Sequence, residues 1–243
     1  MNHEVKRTAH RAPARQQGFT IIELMLAMTF LSVLLLAIAM SVIQIATIYN
    51  KGIVTKEINQ AGRALADDIR RTAAASVKII PATDYVTNSA GGRLCLGNFS
   101  YIWNTGRALN AGDANRTIYE NGSQPIALVK VPDASKIYCS LDSSGGGFAY
   151  RYVRGVDQAQ AREMLPPGDH ALMINKFELL TSTIVEDESI GQTLYTLNFT
   201  LGSGRISAMN ADQSACLEAG NINSDLTYCT VRAFSIVLRT GNG

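Results

Sequence analysis

Residues 24–50 contain no charged side chain, no proline and no glycine. Because nothing in this stretch breaks a helix, it predicts one helix of ~40 Å, longer than the ~30 Å hydrocarbon core of a bilayer. A signal peptide would have an apolar core of about 7–15 residues followed by a small-residue cleavage site. Here the apolar run is longer and continues without a break into a polar segment, so we expect a retained transmembrane helix.

Histidine is scarce, and two of the three, His3 and His10, lie in the N-terminal leader. His170 sits in a loop-like Pro-Pro-Gly-Asp-His sequence without a serine or cysteine motif, which favours a solvated residue over a catalytic base. The acidic residues 186–188 lack EF-hand spacing and predict a solvated turn rather than a calcium site. We therefore expect a non-enzymatic protein with no catalytic residue, no metal and no cofactor.

The leader, residues 1–18, carries most of its charge as cations. It holds four of the 22 basic residues, Lys6, Arg7, Arg11 and Arg15, but only one of the 20 acidic ones, Glu4. Basic residues beside an apolar helix stay cytoplasmic, so the C-terminal side of the helix should face outward. The precursor's net charge of +2 mostly reflects this leader and gives no reason to expect nucleic-acid binding.

The sequence Gly18-Phe19-Thr20-Ile21-Ile22-Glu23-Leu24 stands between the basic leader and the apolar helix. It closely resembles the processing site of type IV prepilins and type II secretion pseudopilins. The resemblance implies that a prepilin peptidase cuts after Gly18 and methylates the new N-terminal residue, Phe19. Glu23 would then be the fifth mature residue, where that family carries its glutamate.

Glu23 is the one carboxylate at the head of the apolar helix. A charge at the bilayer centre costs roughly 2.5–3.5 kcal/mol on insertion scales, although a glutamate near the headgroups is favourably placed at a helix N-terminus. After cleavage the amine of Phe19 lies one helical turn away, on the same chain or on a neighbouring subunit. Because a paired charge is tolerable in low dielectric, we expect Glu23 to act in filament assembly.

Residues 51–80 continue the helix in amphipathic form. The apolar stripe recurs at spacings of three and four, through Val54, Ile58, Ala61, Leu65, Ile69 and Thr72. We expect this stripe to pack against a globular domain. Gly52 and Gly62 should each weaken the helix by roughly 1 kcal/mol relative to alanine, and Pro81 should end it. Many major pilins have a proline about twenty mature residues into the helix; Met40 and good helix formers stand there instead, which argues against a major-subunit role.

Residues 81–243 predict one β-rich head domain, because short alternating runs lie between turn-forming residues. Trp103 and the tyrosines are expected to fill its core. The clearest predicted strand is Tyr195–Leu201, followed by 148–154, 126–131, 176–180 and 232–239, with weaker runs at 94–103 and 137–141.

All four cysteines lie in this head: Cys95, Cys139, Cys216 and Cys229. An even count in an exported region favours two disulfides, with three pairings open. Cys216–Cys229 is the preferred pair because it closes a short loop-like segment, a closure that stabilises by ~3 kcal/mol in the chain-entropy model. Many pilins also close a C-terminal loop with a disulfide. The wide spacings and the lack of a CxxC pair argue against zinc.

Together these features predict an α+β, pilin-like fold with a leader (1–18), an apolar helix (19–50), an amphipathic continuation (51–80) and a β-rich head (81–243). The expected function is that of a minor pilin in type IV pilus assembly, initiation or tip formation. The alternatives are a type II secretion pseudopilin, or a signal-anchored adhesin or enzyme that does not polymerise. Implied partners are the prepilin peptidase/methylase, other pilin subunits and the inner-membrane assembly platform. The chain should cross the cytoplasmic membrane once, with the head outside, and then enter a surface filament.

Overall fold

A computed structural model describes residues 18–111, 120–121, 124–125, 127–139, 160–165, 172–187, 192–203, 206–225 and 227–241. The expectations for the leader before Gly18, for His170 and for a strand at 148–154 lie outside these residues. The chain divides into two units, Met1–Ala46 and Thr47–Gly243. The description of the head below concerns the second unit.

A single long helix, α1, runs from Ile21 to Ala74 over 54 residues. No proline interrupts α1, and its two glycines, Gly52 and Gly62, do not break it, so the helix continues past the apolar run as the sequence predicts. Its end comes earlier than expected: the Ser76 N–H bonds back to the Ala73 carbonyl, and the Ser76 hydroxyl donates to the Thr72 carbonyl. Pro81 does not stop this helix but opens a separate short one, α2 (Pro81–Asp84), since proline is favoured in a first helical turn.

The amphipathic stripe of α1 faces the core of the head, as predicted. Val54, Ile58, Leu65 and Ile69 are fully buried, and Thr72 is buried as well. Ala61 is half-buried and packs against the same core. This stripe fixes the helix to the head through its C-terminal half.

Ten strands are described. In chain order they are β1 (Tyr85–Thr87), β2 (Gly91–Leu96), β3 (Phe99–Asn104), β4 (Glu120–Asn121), β5 (Gln124–Pro125), β6 (Leu128–Pro132), β7 (Arg162–Glu163), β8 (Leu172–Asp187), β9 (Gln192–Ser203) and β10 (Thr230–Thr240). A five-stranded antiparallel sheet has the order β1-β2-β3-β6-β7, and a three-stranded antiparallel sheet has the order β10-β9-β8. Strands β4 and β5 form a two-residue hairpin, and a short helix, α3 (Gly106–Ala111), follows β3.

The predicted strands at 176–180, 195–201 and 232–239 are confirmed within β8, β9 and β10. Strict alternation buries Tyr195, Leu197, Phe199 and Leu201 on one face of β9. The run predicted at 126–131 is β6, which begins at Leu128. Simple period-two patterns therefore locate the long strands well.

Two predicted strands are wrong. The run 94–103 is a hairpin rather than one strand, because Gly97 adopts a φ of +55° and turns β2 back into β3. The run 137–141 is not extended over its described part, Ile137–Cys139, which is a 3₁₀ turn. The Asp133 carboxylate holds that turn by accepting hydrogen bonds from the N–H groups of Ile137 and Tyr138.

Aromatic rings join the two sheets and α1 in one core. The Trp103 ring lies 4.3 Å from that of Phe177, which is followed by Phe199 and then Phe234, with centroid distances of 5.9 and 5.0 Å. Phe234 packs directly on Gly62 of α1, where a Cβ atom would overlap the ring. Trp103 is 1% exposed, so its expected role in core filling is confirmed.

Candidate processing and assembly site

The expected cleavage junction lies just before α1. Gly18 and Phe19 precede the helix, and Phe19 is 88% exposed. A Cβ atom at Gly18 would have no heavy atom within 4 Å. Since the packing of the chain itself leaves room for a side chain at Gly18, any requirement for glycine there has to come from a partner that handles the junction.

Thr20 and Glu23 form a reciprocal capping box at the start of α1. The Thr20 N–H donates to Glu23 Oε2 at 2.9 Å, and the Glu23 N–H donates to Thr20 Oγ1 at 3.2 Å. The Thr20 hydroxyl also donates to Glu23 Oε2 at 3.0 Å. Two N–H groups that the helix leaves without an intrahelical partner are thereby satisfied. The Thr-x-x-Glu spacing is the sequence signal for this capping box; the sequence interpretation places Glu23 favourably at a helix N-terminus but does not pair it with Thr20.

The capping box also sets where the carboxylate lies. Glu23 Oε2 sits at the Thr20 N–H, one residue from the nitrogen of Phe19. Cleavage after Gly18 would turn that nitrogen into an amine next to an oriented anion. The local geometry thus places the charge beside the position that a cationic N-terminus at Phe19 of the same chain would take.

Large apolar side chains are exposed at Phe19 and along α1 from Ile21 to Tyr49. Within the described part of the chain, α1 is the one helix long and apolar enough to cross a membrane, judged by length and composition. Its polar residues suit hydrocarbon, because the hydroxyls of Thr29, Ser32 and Ser41 donate to backbone carbonyls three or four residues earlier. An exposed apolar surface of this length indicates a lipid or helix environment.

The four cysteines form two disulfides, Cys95–Cys139 and Cys216–Cys229. The second is the pair that the sequence favours. The first joins β2 to the 3₁₀ turn that follows β6 and closes a separation of 44 residues. No group of three or more His, Cys, Asp or Glu side chains in the described ranges is arranged to hold a metal ion.

The acidic residues 186–188 were expected to form a solvated turn, which is wrong for the first two. Glu186 and Asp187 extend β8 and pair with Thr193 and Gln192 of β9. Glu188 lies outside the described residues. The pairing of β8 with β9 therefore extends to Asp187 and Gln192, whereas the charge pattern predicts a turn from residue 186.

A polar cluster that the sequence did not reveal ties α1 to the five-stranded sheet. Lys130 of β6 donates to Asp68 Oδ2 at 2.8 Å, and the Tyr101 hydroxyl of β3 donates to the same oxygen at 2.6 Å. Partial burial tends to raise the pKa of Asp68, but the bonds from Lys130 and Tyr101 outweigh it and hold that pKa below its ordinary value. Burial and the neighbouring carboxylate raise the pKa of Tyr101. No short-range sequence pattern links residues so far apart.

Comparison with known proteins gives one family match, the prokaryotic N-terminal methylation motif, over residues 13–39. No curated protein and no solved structure matches the chain. The chain therefore carries the signature of type IV pilins and pseudopilins, and its α+β head on a long N-terminal helix is pilin-like. The motif implies processing by a prepilin peptidase and association with the membrane and the pilin assembly machinery.

Proposed function

We propose that this chain is a minor pilin, a low-copy subunit that helps initiate or tip a type IV pilus. The observation that carries the proposal is the methylation motif at residues 13–39, which runs into a helix that continues unbroken to Ala74. Many major pilins carry a proline about twenty mature residues into the helix, whereas Met40 stands here inside α1. A head that extends over residues 81–243 is also larger than that of a typical major pilin.

The proposed location follows from charge and motif. The basic leader stays in the cytoplasm, α1 crosses the cytoplasmic membrane once, and the head lies outside until the subunit enters the filament. The proposed partners are the prepilin peptidase, other pilin subunits and the inner-membrane assembly platform. The role is structural and requires neither catalysis nor a cofactor.

The test is deletion of the gene in the native host, with two readouts. We expect fewer surface pili by electron microscopy and unchanged release of enzymes that depend on type II secretion. Sheared pili from the wild type should contain the chain far below the level of the major subunit by quantitative mass spectrometry. Complementation with the wild-type gene should restore the pili.

The alternative functions give other results. Normal piliation with lost enzyme secretion would identify a pseudopilin. Normal piliation, normal secretion and absence of the chain from every filament preparation would favour an anchored adhesin or enzyme. Either result would overturn the minor-pilin proposal.

A further inference from the structure

Strand β10 (Thr230–Thr240) lies at one edge of the three-stranded sheet, with β9 on its inner side. The N–H of Gly241, just after the strand, donates to the Ser76 carbonyl and therefore points away from β9. Successive N–H groups of a strand alternate sides, and the C=O of each residue points the same way as its N–H. The outer edge of β10 therefore consists of the backbone groups of every second residue: Val231, Ala233, Ser235, Val237 and Arg239.

This outer edge is open. Among the described residues, none forms a hydrogen bond with its N–H or C=O groups. The opposite edge of the sheet, β8, is covered in its first half, because the Tyr85 hydroxyl donates to the Phe177 carbonyl at 2.7 Å and Ile174 forms a bridge with Thr105. A strand edge of ~36 Å without a partner is a template for a further strand.

Strand β10 also lacks the features that usually protect an edge. Its sequence contains no proline and no lysine, and its pairing with β9 continues from Thr230 to Thr240 without a bulge. Val237, on the face of β10 that points away from the core, is 56% exposed. Natural proteins seldom leave so long and regular an edge unprotected, which indicates that a partner covers it.

Helix α1 packs on the inner face of the sheet and runs alongside β10. The Phe234 ring lies on Gly62, and Gly241 is bonded to Ser76. The step from Phe234 to Gly241 spans ~23 Å of strand, and the step from Gly62 to Ser76 spans ~21 Å of helix. The strand and the helix therefore follow each other side by side in the same direction.

The side chains around the outer edge are basic. Arg232 and Arg239 are the only charged residues of β10, and both are exposed. On the flank of α1 lies a hollow of about 460 Å³, lined by Gly52, Thr55, Lys56, Asn59, Gln60 and Arg63. Thr55 stands two helical turns before Gly62, so the hollow adjoins the row of α1 that meets β10. Neither β10 nor the lining of the hollow contains a carboxylate, which favours an acidic partner.

A second copy of β10 does not suit this edge. Two such edges would bring like charges together. Antiparallel pairing of the two strands would also turn the two copies of α1 in opposite directions, because α1 follows the direction of β10. Copies whose helices are anchored in one membrane share one orientation, so this symmetric contact is closed to them.

We propose that the outer edge of β10 binds one extended, acidic strand of a different protein, which joins the three-stranded sheet as its fourth strand. Main-chain hydrogen bonds to the outward N–H and C=O groups supply the affinity. The arginines of β10 and the cations of the hollow select an acidic segment. This interaction surface would serve a minor pilin and a pseudopilin equally, so the inference does not rest on the proposed function.

Binding of synthetic peptides to the full chain tests the proposal, by fluorescence anisotropy in a zwitterionic detergent. The first probe is acetyl-Glu-Val-Thr-Val-Glu-Val-Thr-amide, and the second has lysine in place of glutamate. The third is the acidic peptide with N-methyl groups on its valines, which removes the N–H groups needed for pairing. We expect the acidic peptide to bind, and the other two to bind about tenfold more weakly or not at all. Added salt should weaken the binding of the acidic peptide.

Residue-resolved amide hydrogen exchange locates the contact. In the free chain the outward amides of Ala233, Ser235 and Val237 should exchange quickly, whereas those of Ile236 and Leu238, which face β9, should exchange slowly. The acidic peptide should slow the outward amides alone. Slow exchange of the outward amides in the free chain would mean that the chain covers its own edge, and would overturn the proposal.

Ser235→Pro and Ser235→Ala form a matched pair of variants. Proline removes one outward N–H and spares the bonds to β9, which makes it compatible with an edge strand. We expect Ser235→Pro to weaken binding of the acidic peptide about tenfold and Ser235→Ala to bind as the wild type does. Arg232→Glu, at an exposed position, should weaken it roughly threefold or more and leave thermal stability unchanged. This variant decides the matter should Ser235→Pro fail to fold.

Several results would contradict the proposal. They are equal binding of the lysine or N-methylated peptide, no binding of the acidic peptide to the folded wild type, and wild-type binding by Arg232→Glu. Sedimentation of the free chain tests the remaining occupant. A dimer that Ser235→Pro dissociates and Ser235→Ala does not would assign the edge to a second copy of this chain instead.

Discussion

Glu23 has a structural role in its own chain in addition to the role in assembly that we expect for it. Its carboxylate accepts the Thr20 N–H and its own N–H bonds to Thr20 Oγ1, so it closes the first turn of α1. An alanine at this position would therefore remove the helix cap and the charge together. Glutamine keeps the acceptor of a capping box while it removes only the charge.

This distinction gives a prediction for filament entry. Glu23→Gln should leave insertion and cleavage intact but sharply reduce the chain in the filament, because an amine of Phe19 loses its anionic partner in a desolvated stack. Thr20→Val weakens the cap by ~1 kcal/mol and keeps the charge, so it should enter filaments far better. The measurement is the ratio of chain in sheared pili to processed chain in the membrane fraction. Equal ratios for wild type and Glu23→Gln would show that the carboxylate has no role in assembly and would favour a simple anchor.

Gly18 supports a prediction about processing. Cleavage after Gly18 should yield a mature chain that begins with N-methylated Phe19, as intact-mass analysis of protein from the native host would show. Gly18→Val should block cleavage, and the cause should be the peptidase, because the chain leaves a Cβ at this position free of contacts. A mature chain that still begins at Met1 in the wild type, or begins near residue 40, would contradict the assignment.

At the scale of elements, the sequence predicts whatever depends on local periodicity. The stripe from Val54 to Thr72 and the alternation in β9 place α1 and the long strands correctly. The hairpin at Gly97 was missed because a left-handed glycine interrupts an otherwise strand-like run. The bulge at Asn175 has no local signal at all, since it depends on the register with β9.

Among the functional and polar residues, too, those within a local motif can be predicted and those that meet through distant contacts cannot. Gly18, Phe19 and Glu23 are contiguous and could be chosen from a motif of seven residues. The bond between Asp68 and Lys130 depends on a contact between distant segments. Such contacts appear only once the chain is folded, because no spacing in the sequence encodes them.

The two glycines of the amphipathic helix provide a matched pair of variants. Gly62→Ala should lower the stability of the head by roughly 1–3 kcal/mol, because the new Cβ overlaps the Phe234 ring, which is stacked on Phe199. Gly52→Ala meets no atom within 4 Å and should stabilise by up to ~1 kcal/mol through helix propensity. Thermal unfolding of both variants measures the difference. A stabilising Gly62→Ala would contradict the packing of α1 on β10.

The Asp68 cluster predicts a pH dependence of stability. Because the folded-state pKa of Asp68 lies below its ordinary value of 3.8, the cluster stabilises the head at higher pH and loses this contribution as the pH falls through the folded-state value. Asp68→Asn should therefore flatten the acid limb of a stability profile measured from about pH 7 to about pH 3.

Asp67→Asn is the control for that experiment. Its neighbour Arg70 lies 3.5 Å away in an exposed pair, which contributes little to stability. The Asp67→Asn profile should follow the wild type. Identical acid limbs for Asp68→Asn and wild type would show that the cluster does not couple α1 to the sheet.

For the molecule as a whole, cysteine is confined to the unit that follows the apolar part of α1. Both disulfides lie there, and the described residues include no free cysteine. Such a distribution suits a head that folds in an oxidising compartment while the helix enters the membrane. It also predicts that the two bridges contribute unequally to the stability of that head.

The Cys95–Cys139 bridge should stabilise more than the Cys216–Cys229 bridge. Their sequence separations are 44 and 13 residues, which correspond to ~4 and ~3 kcal/mol in the chain-entropy model. Peptide mapping of unreduced protein should recover both pairs and no free thiol. Paired alanine replacements should then lower the unfolding midpoint more for Cys95 and Cys139, whose bridge joins β2 to the turn after β6, than for Cys216 and Cys229. Recovery of a Cys95–Cys216 peptide would disprove the pairing, and a larger loss from the C-terminal pair would show that loop length does not set the order.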